Sequence, residues 1–189
     1  MIFLLRADSI DCAKVCALMV KITPQMKLWM GDFGKNYTGR NTYTPSALDA
    51  FYKKLWGSSL TEMNRDLYSG LKLDRILEVG CNIGMKLNHL QRQGYENLYG
   101  IELQWDAVER AKRRSKLINI IQGSGFDIPF KDDYFDLVYT NGVLIHIHPD
   151  DLPAVMREMV RCSKRYISGL EYFSEKQEEI TYHGKKHAL

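Results

Sequence analysis

The residues of this chain best suited to chemistry fall in four short stretches: LEVGCNIGMKL (77–87), YGIEL (99–103), QGSGF (122–126) and TNGVLIHIH (140–148). In the first, Gly80 and Gly84 bracket a loop that leads into a helix. Glycine there lets the backbone approach a ligand closely, with free amides at the helix start. Glu78 just before that loop would place a carboxylate where a cationic amino group could be held. The spacing is Gly-x-x-x-Gly rather than the Gly-x-Gly-x-x-Gly of dinucleotide binders, whose pyrophosphate needs the tighter turn. Glu102 lies 22 residues past Gly80, close to the spacing at which an acidic side chain accepts hydrogen bonds from ribose hydroxyls. The plainer reading, a solvated glutamate, stands beside it until the glycine loop is counted in favour of a nucleoside.

Further along, Ser124 and the amide of Gly125 sit where an adenine edge would be read. Phe126 would pack on the base, and Asn141 and Gly142 lie beneath the same pocket. A histidine titrates near working pH and suits removal of a proton from a hydroxyl. His146 and His148 would face one side of an extended segment, and His146 is the favoured base. The alternative is a histidine that only bonds a loop, with catalysis left to proximity. Upstream, Trp29, Phe33 and Tyr37 are either core packing or a lid. As a lid, Tyr37 and Arg40 would reach a carboxylate, which the arginine fork matches with two parallel bonds.

Positioning such residues takes a parallel sheet. RILEV (75–79) is a short apolar run that stops at Gly80, as buried parallel strands do. Further strands are expected at 98–101, 118–121, 135–139 and 166–170. Helices are expected between them: one from Gly84 to the capping Gly94, one carrying Ala107, Val108 and Ala111, and one with Leu152, Val155, Met156, Met159 and Val160 behind Asp151. Ser46 is expected to cap a helix carrying Leu48, Phe51 and Leu55. The alternation means crossover units and a Rossmann-like, doubly wound α/β sheet, which binds ligands outside the carboxyl ends of its strands. Residues 1–45 read as an irregular segment with a short helix after Ser9, a candidate lid, and 46–189 as one domain.

Composition excludes extremes. The 189 residues suffice for one α/β domain, 45% of them hydrophobic and 26% charged. The net charge of +3 does not call for nucleic acid, and the basic cluster Lys112, Arg113, Arg114 and Lys116 reads as a solvated helix end. No run approaches the roughly 18 apolar residues of a spanning helix, and MIFLL meets Arg6, Asp8 and Asp11 before a signal core forms. A cytoplasmic protein without membrane or nucleic-acid partners is expected. Cys12, Cys16, Cys81 and Cys162 lack the companions of a zinc site and read as free thiols, so no metal is expected.

Taken together, Gly-x-x-x-Gly behind an acidic residue, the acidic end of the next strand, and Asp-Ile-Pro-Phe before Phe-Asp-Leu-Val resemble the motifs of class I S-adenosylmethionine-dependent methyltransferases. The resemblance covers about residues 27–189. The segments LWMGDFGKNYTGRN, GCNIGMKL, NGVLIHIHPDDL and SKRYISGLEYFSE, followed by TYHGKKHAL, are similar to the methylases associated with pseudaminic acid biosynthesis in bacteria. The resemblance implies S-adenosyl-L-methionine as cofactor. Glu78, Gly80, Asn82 and Gly84 would hold its methionine part, Glu102 its ribose, and Ser124, Gly125 and Phe126 its adenine, with Asn141 beside them. Ser124 stands where many relatives carry an aspartate for the adenine amino group. A histidine near the cofactor is frequent in the superfamily at the place of His146. The acceptor implied is a small, anionic molecule such as an acidic sugar, methylated on oxygen.

The sheet of that superfamily has seven strands in the order 3-2-1-4-5-7-6, whereas five are evident here. The last two strands are therefore expected to be missing, which would leave 166–170 as an open apolar edge prone to self-association. Two other readings stay open: a nicotinamide-dependent oxidoreductase on a similar sheet, and a non-catalytic relative that keeps the nucleoside site.

Overall fold

A computed structural model describes the backbone of residues 2–6, and residues 22–173 and 175 in full. Five parallel strands make the body of the sheet: β2 (Arg75–Val79), β3 (Asn97–Glu102), β4 (Asn119–Gln122), β5 (Phe135–Asn141) and β6 (Ser163–Leu170). Before them come β1 (Ile2–Arg6) and the helices α1 (Pro24–Met30), α2 (Asp32–Arg40), α3 (Pro45–Trp56) and α4 (Leu60–Tyr68). Between the parallel strands lie α5 (Met85–Arg92), α6 (Trp105–Arg114) and α7 (Leu152–Cys162). The strand order is β1-β6-β5-β2-β3-β4. The chain thus winds outward from β2 in one direction through β3 and β4, and in the other through β5 and β6. The switch point between β2 and β5 is where such sheets bind ligands.

Side-chain alternation along the strands divides the core between the two faces. Ile76, Leu98 and Leu137 meet Tyr68 of α4, Leu87 and Leu90 of α5, and Val108 and Ala111 of α6. Leu77, Val79, Ile101 and Val138 meet Val155, Met159 and Val160 of α7. A register shift between Phe135 and Leu137 lets Phe135 join the α7 side although it shares parity with Leu137.

Several expectations are corrected. The edge of β6 is not open, because β1 pairs with it antiparallel from Ile2 opposite Leu170 to Arg6 opposite Tyr166. Its sequence, IFLLR, is an apolar run of strand length within the segment expected to be irregular. Residues 24–40 are likewise regular: the Thr23 hydroxyl accepts from the Met26 amide at 3.1 Å and Pro24 pre-sets the first turn of α1. Thr44, not Ser46, caps α3, whose buried face is Leu48 and Tyr52, while Phe51 and Leu55 are exposed. Helix α4, not among the expected helices, starts at a capping box formed by Ser59 and Glu62. Cys81 and Cys162 are free and buried. Cys12, Cys16, the helix expected after Ser9 and the TYHGKKHAL segment lie outside the described residues. Among the described residues no helix is long and apolar enough to cross a membrane, and no cluster of three His, Cys, Asp or Glu could hold a metal ion.

Candidate functional site

The carboxyl ends of β5, β2, β3 and β4 open into one pocket of about 1030 Å³, counted out to its solvent mouth. Each wall follows from a local rule. Gly80, at the end of β2, has φ +74°, and a Cβ there would lie 2.7 Å from Cγ2 of Val143. Only glycine meets both conditions cheaply. Asn82 follows with φ 49°, and its side-chain oxygen accepts from the Ile83 amide at 2.8 Å, the local bond that lets asparagine hold a left-handed backbone. Glu102 ends β3. Its two carboxylate oxygens accept from the amides of Asn82 at 2.9 Å and Gln104 at 2.8 Å. Burial raises its pKa, and these amide bonds work against the rise. Beyond β4, the Ser124 hydroxyl accepts from the Phe126 amide at 3.2 Å and turns the chain so that Gly123 to Phe126 line the pocket.

At the β5 end, Asn141, Gly142, Val143 and His146 form the opposite wall. His146 sits on a 3-10 turn, Leu144–His146. The carboxylate of Glu171, just past β6, holds that turn by accepting from the amides of Val143 and Leu144, each at 3.1 Å. The cover comes from α1 and α2. Trp29 meets Phe33, Tyr37 and His146 at ring-centroid distances of 5.1, 5.1 and 4.5 Å. A relay of polar bonds ties this cover to the sheet: Asn82 Nδ2 donates to Thr38 Oγ1 (3.1 Å), Thr38 Oγ1 to Gln104 Oε1 (3.3 Å), and Gln104 Nε2 to the Trp29 carbonyl (3.0 Å).

Nine of the twelve residues expected from the sequence therefore line one pocket: Tyr37, Gly80, Asn82, Glu102, Ser124, Gly125, Phe126, Asn141 and His146. Three do not. Glu78 points to the other face of β2 from Val79; it is 1% exposed, accepts from the Tyr139 hydroxyl at 3.1 Å, and burial pushes its pKa up to about 7. Gly84 is the left-handed N-cap of α5, and a Cβ there would lie 2.8 Å from Ile120, so its role is close helix–sheet packing. Arg40 is exposed at the end of α2 and outside the pocket. His148 also turns away, half exposed beside Asp150 at 3.6 Å, because the segment after β5 coils rather than extending. Sequence inspection missed Lys86, Thr38, Gln104 and Glu171. Lys86, Thr38 and Glu171 lie within segments quoted above and Gln104 does not, but only the approach of distant segments gives any of them a place.

Residues 77–166 match the protein family described as a methyltransferase domain. The match covers 90 of the 189 residues, from β2 to the middle of β6. Among curated proteins, the chain is similar to the glycine/sarcosine/dimethylglycine N-methyltransferase of Actinopolyspora halophila, at 28% identity over 160 residues, which are 68% of this chain and 27% of that protein. It is also similar to the methyltransferase GfsG of Streptomyces halstedii, at 29% over 126 residues, which are 62% of this chain and 43% of that one. It thus spans less than half the length of either relative. Among solved structures, a protein of Methanococcus maripaludis assigned as an S-adenosyl-L-methionine-dependent methyltransferase superposes with a TM-score of 0.56 at 19% identity, covering 78% of this chain and 64% of that one. That likeness concerns the fold, a Rossmann-like α/β sheet of the class I methyltransferase type. At the switch point of that sheet, Gly80 leaves the pocket floor clear and the carboxylate of Glu102 stands at the end of β3.

Proposed function

We propose that the protein is an S-adenosylmethionine-dependent methyltransferase that methylates a hydroxyl of a small, anionic acceptor, an acidic sugar of the pseudaminic acid type. One observation carries the cofactor part of this reading. Across the strand ends the pocket presents, in order, Ser124 to Phe126, Glu102, Gly80 with Asn82, and Asn141, which is the sequence of contacts for adenine, ribose and an amino-acid tail. Bound there, the cofactor supplies a methyl group already activated by its sulfonium. The chain's tasks are then to align, to dry and to take a proton. Trp29 and Tyr37 cover the site, and the relay from Asn82 to Trp29 keeps that cover on the cofactor loop. His146 faces the pocket at the β5 end, where it would accept the hydroxyl proton as the acceptor oxygen bonds to the methyl carbon and the carbon–sulfur bond breaks, its electron pair leaving on the sulfur of S-adenosylhomocysteine.

A small acceptor fits a pocket roofed by α1 and α2, and the anionic class rests on the sequence resemblance. The test is a mass-spectrometric screen with isotopically labelled methyl donor against nonulosonic acids, neutral sugars, amines and fatty acids. Label entering a nonulosonic acid hydroxyl supports the reading. Label entering only amines or fatty acids overturns the acceptor assignment, and failure to bind S-adenosylhomocysteine in calorimetry overturns the cofactor reading.

A further inference from the structure

Lys86 is the one residue with a fixed positive charge among the described residues that line the pocket. It stands in the first turn of α5, beside the positive end of the helix dipole, where a lysine is electrostatically misplaced. Its ammonium can donate three hydrogen bonds. The structure shows one, to the Asn141 carbonyl at the end of β5, at 3.1 Å. No ion pair among the described residues includes it. Burial works against its charge, but Tyr52, Glu78, Tyr37 and Glu171 outweigh burial and hold the pKa above the ordinary lysine value, so it is cationic at neutral pH. A cation kept charged in a partly buried wall, with most of its donors uncommitted, fits an anionic ligand group better than a purely structural tether.

The sheet order says which group. With adenine over the β4 loop and ribose at Glu102 on β3, the remaining part of the cofactor runs past Gly80 on β2 towards Asn141 on β5, and Lys86 meets it there. Resting on the cofactor reading above, we propose that Lys86 binds the carboxylate of the methionine moiety of S-adenosylmethionine. Arg40, the arginine expected from the sequence to do this, is exposed and outside the pocket. Asn141 fixes the lysine through its carbonyl, while its side-chain oxygen accepts from Tyr52 at 3.1 Å. Lysine gives a point charge on a flexible stem, so the carboxylate is held without the planar register an arginine would impose.

The experiment compares two ligands that share adenosine and sulfur and differ in the amino-acid tail: S-adenosylhomocysteine and methylthioadenosine. Their affinities are measured by calorimetry on the full chain, on Lys86→Met and on Lys86→Arg. Lys86→Met should weaken S-adenosylhomocysteine by about tenfold to a hundredfold, the range for a hydrogen bond to a charged group. Methylthioadenosine should bind it within about twofold of the unaltered chain, which also shows the pocket intact. Lys86→Arg should restore most of the lost affinity. Equal weakening of both ligands, or of neither, overturns the proposal. Should Lys86→Met not fold, loss of selectivity between the two ligands in Lys86→Gln with selectivity kept in Lys86→Arg decides in its favour, and unchanged selectivity in Lys86→Gln decides against. If the unaltered chain binds neither ligand, the cofactor reading fails first and the Lys86 assignment falls with it.

Discussion

The backbone amide of Asn82 donates to the carboxylate of Glu102 at 2.9 Å, so the loop after β2 and the end of β3 are joined through the side chain proposed to take the ribose. Removing that carboxylate has two effects: it deletes the ribose acceptor and it releases the Asn82 and Gln104 amides. Glu102→Ala should weaken S-adenosylhomocysteine binding by about 1.5–3 kcal/mol, the range for bonds to charged groups. Calorimetry on folded protein checks this, and an unchanged dissociation constant would sink the ribose assignment.

His146 and Glu171 make a second, separable pair of expectations. If His146 is the general base, His146→Ala should lower turnover by about a hundredfold or more with cofactor affinity nearly unchanged. Glu171 touches no ligand in this reading and acts by holding the Val143 and Leu144 amides, so it is a positioning residue. Glu171→Ala should lower kcat by about tenfold to a hundredfold through misplacement of the turn, with little change in S-adenosylhomocysteine affinity. In a kcat–pH profile the acid limb should persist in Glu171→Ala and vanish in His146→Ala. A limb that survives loss of His146 places the base elsewhere.

Glu78 ties stability to pH. Its pKa rises from an ordinary 4.5 to about 7, first because burial penalises the charged form. The folded chain therefore holds this proton more tightly than the unfolded one. The contribution of Glu78 is most favourable below about pH 4.5, falls as pH rises towards about 7, and is constant above that. The span corresponds to about 3 kcal/mol. In urea melts at pH 5 and pH 8, Glu78→Gln should lose less stability on going to pH 8 than the unaltered chain does. Parallel losses in the two proteins would refute a buried, proton-holding Glu78.

Gly34 and Gly39 offer a control within one helix. A Cβ on Gly34 would collide with the Trp29 carbonyl and with Gln104 Nε2, whereas one on Gly39 would meet nothing within 4 Å. Gly34→Ala should therefore cost about 1–3 kcal/mol by overpacking. Gly39→Ala should be neutral or gain up to about 1 kcal/mol from helix propensity. Thermal melts of both variants check the pair. Equal effects would mean that α2 does not press on Gln104 as described.

The legibility of this chain was uneven for physical reasons. The runs around 75–79, 98–101 and 135–139 announce buried parallel strands because both faces of such strands are apolar, and glycine or acid at their ends marks the ligand side. The period of α7 gave its inner face directly: Val155, Met159 and Val160 are buried. Glu78 shows the limit of motif reading, since one residue of difference in strand parity sends a side chain to the opposite face. Lys86 looks like any helical lysine until Asn141, 55 residues later in the sequence, is brought to its Nζ. Glu171 follows a strand within a segment quoted for its resemblance, yet its role exists only because the turn after β5 lies beside it. Helices α1 and α2 are short and half exposed, so their periodicity is weak, and caps such as Thr23 were the better signal.

The pairing of β1 with β6 also sets an order of assembly. Ile2 is made 168 residues before its partner Leu170. β1 therefore precedes β2 to β5 in synthesis yet can take its place only once β6 is made. Long-range pairing of this kind is slow and leaves an interval open to mispairing. Among the described strands, β1 is thus the one that must wait longest for its partner, open meanwhile to mispairing or to a chaperone.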